Sequence, residues 1–319
     1  MAASAPRGSA SMTTFIVRRV LWMIPSLLVV FTLTFVVVHA TPGSPWDESE
    51  KPLPEAVKQN LAKQYHLDDP LPKQYADYLI NALHGDLGPS YRSVERSVSE
   101  IIAATLPVSA QLGLAAMLFA LLVGIPLGTL AAVKHNTWVD YTASLITVSG
   151  LATPPFVRVS LLIVALSLGV AWLPTGGWNG IWDVRAIIPT LAIGLGPAAI
   201  LARYTRSSLL EVLGQDFIRT ARAKGLRELM IVVRHAMKNA LIPVLTVAGV
   251  TLSNVITGAF FVERIYGVPG IGRQFVDSVT GRDYPLLLGI VLIFAILISV
   301  VNLLTDISYG YADPRIRYR

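Results

Sequence analysis

Gln111, Arg158, Ser253, Asn254 and Thr257 are polar side chains set inside long apolar runs, and they are where chemistry would have to happen. Amides and hydroxyls in such runs can replace water around a peptide backbone, because each supplies donors and acceptors. The same groups also hold neighbouring helices together through interhelical hydrogen bonds. Arg158 is the one basic residue within an apolar segment, in ATPPFVRVSLLIVA. A cation there costs about 2.5–3.5 kcal/mol at the centre of a membrane span and less toward its ends. Three arrangements would offset that cost: the side chain snorkels to an interface, pairs with a carboxylate, or faces a water-filled path. In a path, its planar guanidinium matches a carboxylate at two points. Ser109, Ser149, Thr153 and Thr251 are weaker members of the same set.

Other chemistries lack their residues. No Gly-x-x-x-x-Gly-Lys-Ser/Thr loop occurs, so nothing is set to cradle nucleotide phosphates. Ser149-Gly150 follows Thr147-Val148, and no histidine lies in a later apolar core, which removes the basis for an intramembrane serine protease. His39, His66, His84, His135 and His235 are scattered without metal-ligand spacing and read as solvated loop histidines. There are no cysteines. The sequence therefore offers no catalytic residue and no metal site. A secondary transporter would carry midplane carboxylates, but the only acid of the last apolar run, Asp306, falls near its end, where solvation is easy.

The elements that must position these groups are membrane helices. The chain is 53% hydrophobic and only 14% charged, with a mean hydropathy of +0.59. Apolar runs cover about 20–38, 106–133, 141–170, 187–202, 241–261 and 286–307, each near the length that crosses a bilayer. The third is too long for one unbroken span and is interrupted by Pro154-Pro155. The first run exceeds the core of a signal peptide, although Val38-His39-Ala40 mimics a cleavage site. Residues 1–13 read as a disordered cytoplasmic tail, 14–40 as the first transmembrane helix and 41–104 as an extracytoplasmic insert. Residues 105–310 read as a five-helix core, with a loop at 214–240, and 311–319 as a cytoplasmic tail. The insert holds ten acidic and six basic side chains, against a net charge of +6 for the whole chain. Within it, Leu53 to Leu83 reads as one or two amphipathic helices interrupted near Pro70 and Pro72. Eight Lys and Arg lie between Arg203 and Lys238. Six spans with both termini and this basic loop inside satisfy the charge bias. The charge is too unevenly spread to make a basic face for nucleic acid. Trp172, Trp178 and Trp182 fall where interfacial anchors belong.

The basic loop reads DFIRTARAKGLRELMIVVRHAMKNALIP. Leu226, Leu229, Met230, Val233, Met237, Ala240 and Leu241 recur at three- and four-residue spacing, one face of a helix. Gly225 permits a sharp bend between that helix and the shorter run before it. A basic helix lying on anionic lipid is the plainer alternative. RTARAKG followed by a helix ending in ALIP resembles the coupling loop of binding-protein-dependent ABC transporter permeases, whose pattern is Glu-Ala-Ala, three residues, Gly, then a helix closing on Leu-Pro. Here Arg219 and Thr220 replace Glu and the first Ala, while Ala221 and Gly225 match. DDPLPKQY, HGDLGPSYRS at 84–93, VERIYGVPGIGRQFVDSVTGRDYP at 262–285 and DPRIRYR at 313–319 resemble the B-type subunit of dipeptide and oligopeptide permeases, with nickel permeases as near kin.

The resemblance implies an all-α membrane protein of the type I ABC importer fold in the inner membrane of a bacterium. It implies that Arg219, Thr220, Ala221, Arg222, Ala223, Lys224, Gly225 and Leu226 contact an ATPase. The partners implied are a second, homologous permease subunit, one or two cytoplasmic ABC ATPases that bind the ATP and Mg, an extracytoplasmic solute-binding protein and membrane lipid. The acidic balance and amphipathic helices of the insert suggest that the binding protein docks there, together with the loop at 262–285. Haem or nickel cargo, a non-ABC secondary transporter and a scaffold without transport are the rival readings.

Overall fold

The computed structural model describes residues 12–42, 57, 59–60, 63, 65–93, 95–257 and 259–312. The expected tail at 1–13 thus lies almost wholly outside the described residues, as do most of 43–64 and the DPRIRYR segment. Among the described residues every regular element is helical, and the only β pairing is an isolated bridge between Pro89 and Ser97.

The helices are α1 (Met12–Ala40), α2 (Leu71–Leu83), α3 (Val98–Val133), α4 (Trp138–Ala152), α5 (Pro155–Leu162), α6 (Ile187–Leu213), α7 (Asp216–Ala223), α8 (Met237–Thr257), α9 (Phe260–Tyr266), α10 (Ile271–Thr280) and α11 (Tyr284–Ala312). A π-helical turn, Ile163–Gly169, extends α5, and a second, Ile231–Ala236, leads into α8. Five helical stretches are long and apolar enough to cross a membrane, and a sixth span forms if α4 and the α5 stretch count as one. The break between those two is sharper than an interrupted span implies: they meet at 108°. Pro154 and Pro155 explain it, since neither has an N–H to continue α4.

α3 and α6 form the spine. On α3, Ala116, Ala120, Gly124, Gly128 and Ala132 are buried and recur every fourth residue, and on α6 Gly194, Ala198 and Ala202 do the same. Small residues at that spacing let two helix backbones approach closely. A Cβ on Gly124 would stand 2.5 Å from the carbonyl oxygen of Ala198, and one on Gly194 2.8 Å from that of Ala116. The apolar core toward the insert end of the spine gathers Leu112, Val159, Ile188, Ile193, Val255, Val262 and Tyr266.

α1 is peripheral and is held at both ends. Near its start Arg19 pairs with Asp306 of α11 at 2.6 Å, so Asp306 is an ion-pair partner rather than a freely solvated acid. Toward its other end Phe31 and Phe35 pack on Tyr75 and Tyr78 of α2, and Thr32 shares a hydrogen bond with the Tyr75 hydroxyl. Pro70 and Pro72 open α2 rather than interrupting a helix, as their fixed φ suits a first turn.

The part of the insert after α2 is stitched to the loop before α11. Gly85 and Gly88 take left-handed φ values of 82° and 79°, and Asp86 accepts a hydrogen bond from the Gly88 N–H. The chain then reaches Asp283, which is 1% exposed. Its carboxylate accepts from the Ser90 hydroxyl at 2.5 Å and from the N–H groups of Tyr91 and Leu286. α3 starts inside the expected insert, at Val98, where Ser97 and Glu100 form a capping box.

Candidate functional site

The basic loop folds as a knob fixed to the ends of the spine helices. Of the residues in α7, Ile218 and Ala221 are buried, and they pack with Leu209 and Val212 of α6, Ala132 of α3 and Ile231, Val232 and Ala236 of the π turn. Gly225 follows α7 with φ +75°. Its N–H donates to the Arg222 carbonyl and the Leu226 N–H to that of Ala221, which satisfies the helix end in a Schellman motif. Leu226 packs on the knob core. Arg219, Thr220, Arg222, Ala223, Lys224 and Gly225 are exposed. Arg222 reaches across the bend to Glu228 at 2.6 Å, an exposed pair of small energetic weight. Beside these cations, Phe217, Leu229 and Val233 expose apolar surface.

The face expected for 226–241 is thus corrected. Leu226, Met237 and Ala240 do face the core, but Leu229, Met230 and Val233 are exposed and Ile231, Val232 and Ala236 are buried in their place. The π turn at Ile231–Ala236 adds residues to one turn of helix and so rotates the sequence out of its 3.6-residue phase.

Sequence reading missed the clamp above the knob. Asp140, at the start of α4 and 2% exposed, receives Arg206 of α6 at two points, Nε at 2.6 Å and Nη2 at 2.7 Å. The Asn136 N–H donates to the same carboxylate and His135 Nδ1 lies 3.1 Å from it. His135 stays exposed in the α3–α4 turn, as a loop histidine would, while its ring contacts this carboxylate. His39 departs from that reading: it sits in α1, stacked on Phe35, with Nδ1 2.8 Å from the Phe35 carbonyl oxygen. Trp172 and Trp182 are exposed as anchors would be, whereas Trp178 packs on the apolar core.

At the insert end, the stretch VERIYGVPGIGRQ folds around Glu263, a fully buried carboxyl. Its Oε2 accepts from the Arg273 N–H at 3.2 Å, and the Gly272 N–H and the Ser109 hydroxyl also donate to the carboxylate. Ser109 accepts in turn from the Ile271 N–H, so this polar group of α3 fastens the α9–α10 loop. A Cβ on Gly270 would overlap both the Glu263 carboxylate and the Ser109 hydroxyl, which is why glycine stands there. Burial raises the Glu263 pKa from 4.5 to about 7. A raised carboxyl pKa contributes stability at low pH that is lost as pH rises through the folded value. Thermal unfolding of the wild type should therefore show a downward step in stability between about pH 4.5 and 7 that Glu263→Gln removes. A step of unchanged size in Glu263→Gln would assign it to another group.

The polar residues of the spans are not brought to one point. Ser253 donates to Asn302 Oδ1 of α11 at 3.1 Å, and the Thr257 hydroxyl donates to the Ser253 carbonyl within α8. Gln111 and Asn254 are exposed on α3 and α8. Those helices touch where a Cβ on Gly113 would lie 3.3 Å from the Ile256 backbone, two residues from each amide. Arg158 is 8% exposed, and its Nε and Nη1 have no hydrogen-bond partner. Among the described residues no group of three or more His, Cys, Asp or Glu is arranged to hold a metal.

Residues 124–318 match the family described as binding-protein-dependent transport system inner membrane component, and residues 12–113 match its N-terminal companion. The chain is 41% identical over 306 residues to the dipeptide transport system permease protein DppB of Bacillus subtilis, covering 96% of this chain and 98% of that one. It is 43% identical over 307 residues to the oligopeptide transport system permease protein OppB of Salmonella typhimurium, covering 96% and 100%. It is 40% identical over 313 residues to the glutathione transport system permease protein GsiC of Pectobacterium atrosepticum, covering 97% and 100%. Among solved structures, a chain of the inward-facing MetNI methionine ABC transporter superposes with a TM-score of 0.57 at 20% identity, over 67% of this chain and 96% of that one. The helical order, the knob after α6 and these matches over nearly the whole length together place the chain in the binding-protein-dependent transport system inner membrane component family.

Proposed function

We propose that this chain is one of two homologous membrane subunits that enclose the translocation path of an ATP-driven peptide importer. The relatives named for dipeptide, oligopeptide and glutathione transport support peptides as the cargo class. One or two cytoplasmic ATPases supply ATP and Mg, and an extracytoplasmic binding protein delivers cargo to the insert and the α9–α11 loops. Eight Lys and Arg between Arg203 and Lys238 favour a cytoplasmic knob, with both termini on the same side. Gln111, Asn254 and Arg158 are assigned to the path, and Ser253 and Thr257 border it.

The observation that carries the reading is the knob. Its basic and apolar surface is exposed, while Ile218, Ala221, Ile231 and Val232 are locked against α3 and α6. A partner that moves the knob must therefore move the spine, which is what coupling of ATPase closure to the spans requires.

Gly225 tests it. A Cβ there would meet nothing within 4 Å, so the glycine is needed for its positive φ alone. Left-handed backbone costs an L-residue roughly 1–2 kcal/mol, more when β-branched and less for asparagine. Gly225→Val should leave the protein in the membrane yet weaken ATPase association or uncouple hydrolysis from uptake. Gly225→Asn should stay close to wild type. The measurement is co-purification with the ATPases and peptide-stimulated hydrolysis in proteoliposomes. Wild-type coupling in the valine variant would remove the bend from the mechanism.

A further inference from the structure

Arg158 sits on α5 with its guanidinium laid against Gly196 of α6. A Cβ on Gly196 would stand 3.0 Å from Nη2 and 3.2 Å from Nη1, so the glycine makes the space that the guanidinium fills. Gly196 is nine residues into α6, hence roughly 14 Å along its axis, about half of a hydrocarbon layer ~30 Å thick. The guanidinium therefore lies against the packed face of α6 rather than at the end of that helix. Nε and Nη1 are buried and unpartnered, and no carboxylate among the described residues pairs with the side chain. An unpaired buried cation destabilises the conformation that holds it, and the penalty falls when an anion arrives.

The neighbourhood can both open and receive a peptide end. α5 joins α4 through Thr153-Pro154 at the 108° break, with no helical hydrogen bonds carried across by Pro154 or Pro155. Those prolines offer no N–H to the carbonyls of Gly150 and Leu151.

We propose that Arg158 is a gated subsite for the C-terminal carboxylate of the cargo, shut between α5 and α6 in this conformation and engaged when α5 swings off Gly196. This rests on the peptide-path reading above. A carboxylate fits because it neutralises the charge and takes two parallel N–H bonds from the guanidinium. Cargo fits better than a fixed acid of the second subunit, because Nε and Nη1 are buried against this chain's own helices. Cargo that meets Arg158 only in the opened form also shifts the equilibrium toward that form.

The test uses the whole transporter in proteoliposomes, with wild-type binding protein and ATP, and compares uptake of trialanine with uptake of trialanine amide. Because the binding protein is the same throughout, any change in the ratio of the two rates arises in the membrane. Arg158→Leu is expected to lower the free-to-amide ratio about tenfold, the worth of one charge-assisted hydrogen bond at the low end. Arg158→Lys should give an intermediate ratio, and it decides the matter if the leucine variant does not assemble. A ratio that stays at the wild-type value, including an equal loss of both cargoes as for an intersubunit ion pair, overturns the subsite while leaving the importer reading intact. Failure of the wild type to take up either peptide overturns the importer reading and the subsite with it.

Discussion

Arg206→Leu is expected to cost this protein about 3–5 kcal/mol of stability, because it strips a buried carboxylate of its main partner. Asp140 keeps only the Asn136 N–H and His135 once the two guanidinium bonds at 2.6 and 2.7 Å are gone. Folded proteins hold about 5–15 kcal/mol in all, so the loss is a large share. For a chain of this size it corresponds to roughly 10 °C in unfolding temperature. The damage falls where it matters for the knob, since the clamp ties the α3–α4 turn and α4 to α6 just before Leu209 and Val212 enter the knob core. The double variant Asp140→Leu with Arg206→Leu should regain most of the loss, because an apolar pair in place of a buried ion pair is often neutral. Thermal unfolding of purified protein in detergent measures both. A single variant within about 1 kcal/mol of wild type, or a double variant no better than the single, would show that Asp140 is not held as described.

Five of the spans were legible because each satisfies one criterion, an apolar run long enough to cross a bilayer, that depends on nothing distant in the chain. Gly225 was legible for a similar reason: a helix end that turns into another helix needs a residue at ease with positive φ. What escaped was of two kinds. Local geometry can change the period itself, and around the π turn at Ile231–Ala236 the residues Ile231, Val232 and Ala236 are buried where Leu229, Met230 and Val233 were expected. Nothing in the residue types there announces an i to i+5 turn. The other kind is pairing across sequence distance. Asp140 with Arg206, Ser90 with Asp283 and Arg19 with Asp306 are each unremarkable alone, and only the fold makes them partners. The path residues sit between these cases. Their polarity inside apolar runs marked them, yet polarity does not distinguish Ser253, bonded to Asn302, from Asn254, exposed on the same helix.

Arg158 shows the limit in another way. Its position among apolar residues was visible, and the snorkelling arrangement was the least specific of the three open to it. That its guanidinium lies against Gly196, between α5 and α6, with Nε and Nη1 unpartnered, is a property of packing rather than of sequence.

Gly128→Leu is expected to prevent the spine from forming. A Cβ on Gly128 would overlap the Ala202 carbonyl oxygen and stand 2.8 Å from the Thr205 Cβ, and the first of these is backbone that no rotamer change can move. Relief requires α3 and α6 to separate. Separation would also undo the buried small-residue contacts at Gly124 and Gly194, since one helix cannot lift at a single turn. Overpacking of a side-chain neighbour costs roughly 1–3 kcal/mol, and a backbone neighbour sets the higher end or beyond. Without water, lipid tails offer an apolar side chain as good a home as the bundle does. Close backbone contact is thus a main source of helix association there. Gly128→Ala already introduces the overlapping atom and should lower stability measurably, with Gly128→Leu leaving little folded protein in the membrane. Leu122→Ala, on the exposed side of the same helix, should be folded and extractable like wild type. Comparing the yield and unfolding temperature of the three after membrane extraction measures this. Equal behaviour of Gly128→Leu and Leu122→Ala would mean that α3 and α6 do not meet along the glycine stripe, and the spine as drawn would be wrong.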